Sequence, residues 1–298
     1  ILNIMIIVKY RKIFFIIAAV LSVVSIFSLF YFGLKFGIDF KGGSIVEVSY
    51  AETRPDVDTV RQKTSELSFG NIYLQPSGEK DLIVKTKELN GEEHASLLYK
   101  LSLDGQLALE EKKFNSIGPS IGKELRSKAW LAVVSVILGI VLFIAFAFRK
   151  VSEQVSSWKY GIITTIALLH DIIIPAGIFA ALGKEVDSLF VVAILSVMGL
   201  SVHDTIVVFD RIRENLKLKI SDKFEETVGK SLNQTFTRSI NTSLTIVLVL
   251  LSLFLFGPES TKDFSLLLLI GIIVGTYSSI FVASPLLVSV EKLQKRNR

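Results

Sequence analysis

The stretch from Asp187 to Phe209, DSLFVVAILSVMGLSVHDTIVVF, is apolar enough to cross a membrane, yet it carries the acidic residue Asp204 near its end. A membrane-spanning helix needs about 20 mostly apolar residues. A carboxylate in hydrocarbon costs roughly 2.5–3.5 kcal/mol, so its presence indicates an ion pathway, a proton relay or a counter-ion. The remaining sequence has to distinguish among these three roles.

Five further apolar stretches predict an α-helical membrane protein with six transmembrane helices. Hydrophobic residues make up 50% of the 298 residues, and the mean hydropathy is +0.54. The predicted spans cover residues 13–34, 129–148, 160–182, 188–209, 239–256 and 264–290. The chain has no cysteine, and its three histidines share no metal-ligand spacing, so neither a metal nor another cofactor is expected.

A polar stretch between the first two spans predicts a folded domain outside the membrane. The predicted organisation is an N-terminus with the first span (1–34), a periplasmic domain (35–128), and a bundle of five spans (129–298) with a cytoplasmic loop at about 210–237. In the periplasmic domain, alternation predicts strands at 44–51, 71–74, 81–86 and 107–114, with a turn at 76–78 and helices starting at Pro55 and near Glu92. This order of elements is typical of a ferredoxin-like α+β domain.

Basic residues are concentrated on one side of the predicted spans. The net charge is +5, but the positive charges lie at the N-terminus, in the second and fourth loops, and at the C-terminus. They are Lys9, Arg11, Lys12, Arg149, Lys150, Lys159, Arg211, Arg213, Lys217, Lys219, Lys223, Lys230, Lys292, Lys295, Arg296 and Arg298. Because cytoplasmic loops are enriched in lysine and arginine, both termini are predicted to be cytoplasmic, and the charge does not indicate nucleic-acid binding.

Two polar stripes on the fourth and fifth spans predict the functional site. Ser201, Asp204 and Thr205 are three and four residues apart and share a helix face. The fifth span opens with residues in the same spacing, which are Arg238, Asn241, Thr242 and Thr245. We predict that Asp204 gains and loses a proton beside Arg238, which stays charged in both states. The alternatives are a structural ion pair, or Arg238 as an interfacial anchor.

Other polar or small residues within the spans suggest secondary roles. His170 and Asp171 form a candidate second polar site, with packing between helices as the alternative. His203 points about a quarter-turn away from Asp204 and is predicted to be mainly structural, with proton handling as the alternative. Gly271 and Gly275, extended by Ser278 and Ser279, have the spacing of a helix-packing face.

Two segments outside the spans have their own predicted structures. In the fourth loop, apolar residues recur every four positions, and Asp222 with Glu225 resembles a capping box. These features predict two short helices along the inner membrane surface. Residues 118–123 (GPSIGK) lack the spacing of a phosphate-binding loop and predict a rigid turn before the second span.

Several motifs resemble those of the SecF proteins of the SecD/SecF family, which belongs to the RND-type superfamily. The first, at residues 37–43 (GIDFKGG), includes Gly37, Asp39, Phe40, Gly42 and Gly43. The second, at residues 201–214 (SVHDTIVVFDRIRE), includes Asp210 and Arg211, and the family usually has asparagine at the position of His203. The others are GPSIGK at 118–123, LHD at 169–171, RSINTSLT at 238–245 and DFSLLLLIGIIVGTYSSIFVA at 263–283.

The resemblance implies a multi-pass subunit in the bacterial cytoplasmic (inner) membrane. Such a subunit pairs with SecD and assists the SecYEG translocon, using proton flow to help draw an exported, unfolded polypeptide outward. In the family, the aspartate of the fourth span and the arginine of the fifth span matter for proton transport, and these fall on Asp204 and Arg238. The implied protein is a transport subunit and not an enzyme.

Two other functions fit parts of the sequence. An RND-type exporter of small molecules or lipids is built from a similar half-unit, although such proteins usually carry two six-span halves and larger outer domains. An intramembrane aspartyl protease would need Asp171 and Asp204 to share a proton. Against the protease, Arg238 would disturb the pair, and Ser201-Val-His precedes Asp204 where a glycine-flanked motif is expected.

Overall fold

The structure is a computed structural model that describes residues 5–149 and 156–296. Six helical runs are long and apolar enough to cross a membrane, which confirms the predicted number of spans. Two of the basic residues used to assign the orientation, Lys150 and Arg298, lie outside the described residues.

The helices divide into spans and short helices. The short ones are α1 (Met5–Lys9), α3 (Ile38–Lys41), α4 (Val57–Thr64) and α5 (Gly91–Leu101). The spans are α2 (Arg11–Phe32), α6 (Pro119–Ala147), α7 (Ser157–Ala181), α8 (Ser188–Lys217), α9 (Phe224–Phe256) and α10 (Glu259–Tyr277), the last continuing through a π-helical segment (Ser278–Ala283) into α11 (Ser284–Arg296). The strands are β1 (Lys35–Phe36), β2 (Gly43–Tyr50), β3 (Tyr73–Ser77), β4 (Asp81–Thr86), β5 (Leu109–Ile117) and β6 (Glu185–Val186).

The predicted cytoplasmic loop of two membrane-surface helices is wrong. Residues 210–217 continue α8 and residues 224–237 open α9, so the two long helices form a hairpin around residues 218–223. Ile212, Val228 and Leu232 are buried and belong to the core of the spans. The four-residue spacing arises because the ends of α8 and α9 pack against each other, which buries the same stripe that a membrane surface would bury.

The capping box predicted at the start of the second loop helix does not form. Lys223 caps α9 and makes no side-chain capping bond. The Glu225 carboxylate instead accepts a hydrogen bond from Arg11 at 2.9 Å and another from Lys292. These contacts join the start of α9 to α2 and α11.

The second span begins ten residues earlier than predicted. Pro119 is the first residue of α6, a position that proline favours because its missing N–H has no partner there in any helix. The motif at 118–123 is therefore the first turn of a helix and not a rigid turn.

The core of the spans lies around α8. Ala193, Val197 and Met198 of α8 are buried, and α7, α9 and α10 pack against this helix. By contrast, few of the apolar residues of α2 and α6 are buried. Those two helices present surfaces suited to lipid or to another membrane protein.

Residues Phe36–Trp130 form a separate compact unit with its own core. Its four-stranded antiparallel sheet has the order β3-β4-β2-β5, and α4 follows β2 in the chain while α5 follows β4. Its core is formed by Val46, Val48, Tyr50, Val60, Phe69, Leu82, Val84, Leu89, Leu97 and Leu101. The predicted turn at 76–78 is shifted, since Pro76 and Ser77 lie in β3; as an edge strand, β3 tolerates proline.

The two ends of this unit meet at a backbone contact that we call the neck, formed by Gly42, Gly43, Pro119 and Gly122. A Cβ atom on Gly42 would lie 2.9 Å from the Pro119 Cα, and one on Gly122 would lie 2.9 Å from the Gly42 nitrogen. Gly42 and Gly43 also have φ angles of 83° and 141°, which residues with side chains rarely adopt. Glycine is therefore required at the neck both for space and for backbone conformation.

Candidate functional site

Asp204 is half-buried at the edge of a small cleft between α8, α9 and α10. The cleft has a volume of about 30 Å³, and a buried water needs roughly 10–15 Å³. Its lining residues are Leu200, Ser201, His203, Asp204, Thr242, Ser243, Ile246, Gly271, Ile272, Gly275 and Thr276. The cleft therefore has room for water beside a carboxylate within the spans.

A chain of hydroxyl groups crosses the cleft to Asp204. Thr276 donates a hydrogen bond to the Ser243 oxygen at 2.6 Å, and Ser243 donates to Asp204 Oδ2 at 3.5 Å. A hydroxyl both donates and accepts, so this chain of hydroxyls can relay a proton or hold a water in line. The sequence analysis missed Ser243 and Thr276 because they lie off the stripes with helical spacing.

The predicted pair of Asp204 and Arg238 is not in contact. The Arg238 side chain is exposed, and within residues 5–149 and 156–296 no salt bridge joins it to a carboxylate. It lies four residues before Thr242, just over one helical turn from the cleft. Asn241 and Thr245 are exposed on the same helix, so the predicted stripe exists but faces outward around the cleft.

His203 and Thr205 differ from their predicted placement. His203 is exposed and lines the cleft next to Asp204, so it is not a packing residue. Thr205, predicted to share a face with Asp204, is buried and hydrogen-bonds Ser279 at 2.9 Å. Within this part of α8, Ser201 and Asp204 face the cleft, whereas Thr205 faces the sixth span.

Asp171 is a second carboxylate within the spans and is fully buried. Its Oδ1 lies 2.8 Å from Nδ1 of His170. Its Oδ2 accepts hydrogen bonds from Ser201 of α8 at 2.5 Å and from Ser278 of the π-helical segment at 2.7 Å. The two carboxylates thus have separate partners, which does not fit an aspartyl-protease pair sharing one proton.

Ser201 connects the two polar sites that the sequence analysis treated separately. It lines the cleft that holds Asp204 and also donates to Asp171. Ser279 donates in turn to the backbone carbonyl of Ser201 at 3.4 Å. A single hydroxyl therefore separates the open cleft from the buried carboxylate.

Gly271 and Gly275 allow α10 to come this close to α8. A Cβ on Gly271 would lie 2.2 Å from Val197, and one on Gly275 would lie 3.1 Å from the Ser201 Cβ. Both glycines therefore face a helix of the same chain. No cluster of histidine and acidic residues suited to a metal ion occurs among the described residues.

Two stretches of the chain match known family models. Residues 27–53 match the SecD/SecF GG motif, and residues 100–293 match the family described as protein export membrane protein SecD/SecF, C-terminal. The chain belongs to the SecD/SecF family. Its site residues from His170 to Ser279 all lie within the second match.

Relatives in the SecD/SecF family are similar over nearly their whole length. Protein translocase subunit SecF of Thermobaculum terrenum is 42% identical, over 96% of this chain and 93% of the relative. The subunit of the same name from Haemophilus influenzae is 36% identical, over 92% of this chain and 82% of the relative. The chain is thus similar to membrane proteins of protein transport.

Two solved SecDF structures have the same fold over this chain. One is SecDF from Thermus, a translocon-associated membrane protein, with 32% identity and a TM-score of 0.81. The other is SecDF in a super-membrane-facing form, with 33% identity and a TM-score of 0.67. They cover 98% and 97% of this chain, which spans 38% and 39% of theirs.

The SecD/SecF motif residues from Gly37 to Gly43 belong to the compact unit of residues Phe36–Trp130. Gly37 precedes α3, Asp39 lies within it, and the buried Phe40 makes an edge-to-face contact with Phe36 next to the neck.

The motif that follows Asp204 supports the α8–α9 hairpin. Asp210 pairs with Arg213 at 2.5 Å, while Arg211 pairs with Glu214 and hydrogen-bonds Gln234 of α9, each at 2.6 Å. Arg211 thus links α8 to α9, the Asp210 pair lies within α8, and neither residue lines the cleft.

Proposed function

We propose that this chain is the SecF half of a SecDF-type complex in the bacterial cytoplasmic (inner) membrane. In this proposal it pairs with SecD and assists the SecYEG translocon late in export, using the proton gradient. The observation that carries the proposal is the half-buried Asp204 in a water-sized cleft within the spans, at the end of a chain of hydroxyl groups. A carboxylate in that setting can bind and release a proton without leaving the helix bundle.

The need for a partner follows from the polar face around the cleft. His203, Asn241, Thr242 and Thr245 are exposed within the predicted fourth and fifth spans, and Arg238 is exposed just before the fifth. Polar groups facing lipid are costly, so a second helix bundle has to cover them. SecD is the proposed partner, because the solved SecDF chains are longer than this one and match it across almost all of its length.

The proposed energy coupling depends on two residues at the covered face, one whose charge changes and one whose charge stays the same. Asp204 alternates between charged and neutral forms, while Arg238 remains positive and keeps the site polar in both states. One charge that crosses the membrane potential releases about 2.3 kcal/mol per 100 mV. Rocking of the two six-span halves around the site could transmit that free energy to an exported, unfolded polypeptide held outside.

In this proposal, the exported polypeptide is bound by the unit between the first two spans. We assign residues 35–128 to a ferredoxin-like periplasmic domain, 1–34 to the N-terminus with the first span, and 129–298 to the remaining bundle. The sheet order β3-β4-β2-β5 and the alternation of strands and helices support the domain type. The basic residues at the start of α2 and in the α8–α9 hairpin support cytoplasmic termini.

The test is export into inverted membrane vesicles in which ATP is exhausted and a proton gradient is then imposed. With the SecD partner present, Asp204→Asn should abolish the gradient-dependent completion of export. The reason is that the side-chain amide of asparagine does not bind a proton near neutral pH. Asp222→Asn is the matched control, since it makes the same change at an exposed position between α8 and α9. Wild-type rates in the Asp204 variant would exclude the proposed relay.

A second measurement distinguishes this function from that of an RND-type exporter. The chain should co-purify with a second six-span subunit and with the translocation channel after mild solubilisation. Recovery as a free-standing oligomer of this chain alone would contradict the assignment.

A further inference from the structure

His170 has one ring nitrogen that the buried site leaves without a partner. Nδ1 contacts Asp171 at 2.8 Å, whereas Nε2 is buried and makes no hydrogen bond with any described residue. The ring itself is buried and stacks with Tyr277 at a centroid distance of 6.3 Å. A buried polar atom without a hydrogen bond costs free energy, so its presence calls for an explanation such as a chemical role.

The hydrogen bonds around Asp171 indicate where the protons lie. The hydroxyls of Ser201 and Ser278 donate to this carboxylate, and Nδ1 of His170 lies within hydrogen-bond distance of its other oxygen. An ionised carboxylate can only accept, so this set fits a charged Asp171 beside a neutral histidine protonated on Nδ1. Nε2 then carries a free lone pair and is the ring nitrogen that can bind a further proton.

We propose that His170 and Asp171 form a second proton-binding site, joined to the Asp204 cleft through the hydroxyl of Ser201. Ser201 both lines the cleft and donates to Asp171, so the two sites share one group. Uptake of a proton at His170 creates an imidazolium beside the carboxylate, which neutralises the negative charge that the buried pair carries before the proton arrives. The inference rests on the proposed function only for the source of the proton.

Two irregular helix segments adjoin the pair. Pro175 lies four residues after Asp171 and has no N–H to donate to the Asp171 carbonyl. Ser278, which binds the carboxylate, is the first residue of the π-helical segment of the sixth span. A change of charge at the pair therefore acts on the contact that joins α7, α8 and the sixth span.

The helices packed against α7 carry several charged or titratable groups, most of them near the helix ends. They are Arg11, Lys12 and Tyr31 on α2; His203, Asp204, Asp210, Arg211, Arg213, Glu214 and Lys217 on α8; Glu259, Lys262, Asp263 and Tyr277 on α10; and Glu291, Lys292, Lys295 and Arg296 on α11. Of these, Tyr277 stacks on the His170 ring, while His203 and Asp204 lie in the cleft beyond Ser201. The main charge next to the His170 ring is therefore that of Asp171.

The test uses nitrogen NMR of the full chain, labelled with ¹⁵N-histidine and reconstituted with its partner in lipid bilayers. The sequence contains only three histidines, so His94→Gln and His203→Gln assign the signals. We expect His170 to carry its proton on Nδ1 at high pH. On acidification across about pH 8 to 5, where histidine changes charge, we expect Nε2 to gain a proton.

The variants separate a proton site from simple packing. Asp171→Asn should remove most of the pH-dependent change at His170, because the carboxylate that balances the imidazolium is gone. Asp263→Asn, an exposed carboxylate paired with Lys184, should leave that change intact. Ser201→Ala should preserve the His170 change at equilibrium but slow gradient-driven export.

Two results would overturn the second site. One is a His170 signal that stays unchanged over this pH range while the folded chain remains in the membrane. The other is normal gradient-driven export by Asp171→Asn alongside inactive Asp204→Asn, which would leave the proposed function standing and remove the second site. Failure of the Asp204 relay alone leaves the His170 measurement valid, because NMR detects protonation without export.

Discussion

At the scale of single residues, Gly271 controls how closely α10 can approach α8. A Cβ there would lie 2.2 Å from the Val197 Cγ2, and valine is held in one rotamer in a helix, so it cannot move aside. We expect Gly271→Ala to destabilise the protein by about 1–3 kcal/mol, the range for overpacked cores. The measurement is the thermal unfolding midpoint of the full chain in detergent.

The matched control is Gly199→Ala on α8. A Cβ at Gly199 meets no atom within 4 Å, and alanine is the better helix former by about 1 kcal/mol. This variant should therefore be neutral or slightly stabilising. Equal shifts for both variants would mean that α8 and α10 are not in close contact.

Tyr50 connects β2 to α5 through a neutral hydroxyl. Burial raises the pKa of this hydroxyl from its ordinary value near 10 to about 12, an effect that Arg54 partly opposes. The hydroxyl donates to the Leu101 carbonyl at 2.9 Å. A raised pKa means that this contribution to stability is complete below about pH 10 and is lost as the pH approaches 12.

Tyr50→Phe should remove this alkaline dependence and cost about 1 kcal/mol at neutral pH, the usual net value of a hydrogen bond. Circular dichroism of the full chain, followed between about pH 9 and 12, measures both effects. Unchanged loss of signal in the variant would show that another group controls alkaline unfolding.

Some site residues can be predicted from sequence and others cannot. Asp204 and Thr242 are visible because a charge or a regular polar stripe stands out in an apolar run. Ser243 and Thr276 are not visible because helical hydroxyls usually bond their own preceding carbonyl, as Ser252 bonds Leu248. Which hydroxyl also reaches a neighbouring helix depends on helix rotation, which the sequence does not specify.

At the scale of elements, the α8–α9 hairpin shows why an amphipathic pattern is ambiguous. An apolar stripe with basic flanks fits a helix on a membrane surface as well as a helix packed on a second helix. The hairpin is distinguished by its buried polar contact, since Asn215 donates to Ser231 at 2.8 Å and to Gln234 at 2.7 Å. The sequence alone does not predict this contact, because it forms only when the two helices pack against each other.

Leu232→Ala should loosen the hairpin near the turn that joins α8 to α9. Leu232 is 1% exposed, and truncation of a buried leucine typically costs 2–5 kcal/mol. We expect faster proteolysis around residues 218–223 in inverted vesicles. Leu218→Ala, at a position that is 65% exposed, is the control and should be cut at the wild-type rate.

If α9 began as an independent helix on the membrane, the two leucine variants would behave alike.

Among the strands of residues 36–130, β2 and β4 were easier to predict, because each alternates between buried and less buried positions. β4, for example, covers the predicted residues 81–86.

At the scale of the whole molecule, the exposed polar face should be an interface between subunits. The chain has no native cysteine, so Thr242→Cys can carry a photo-crosslinker at a single position. We expect cross-links from residue 242 to a second six-span subunit, because lipid is a poor partner for this face.

Leu138→Cys on α6 serves as the comparison for that experiment. Leu138 is exposed on a helix whose surface is largely apolar, so its crosslinker should react mainly with lipid. Protein cross-links of the same size and yield from both positions would argue against a specific interface at the cleft.

The neck has a consequence for how such chains could be rebuilt. Since Gly42 and Pro119 lie close together, the segment between them begins and ends at one point, as in proteins that accept inserted domains. A foreign module with adjacent termini could be grafted there without lengthening either connection. Variation of this segment would then require no redesign of the six spans.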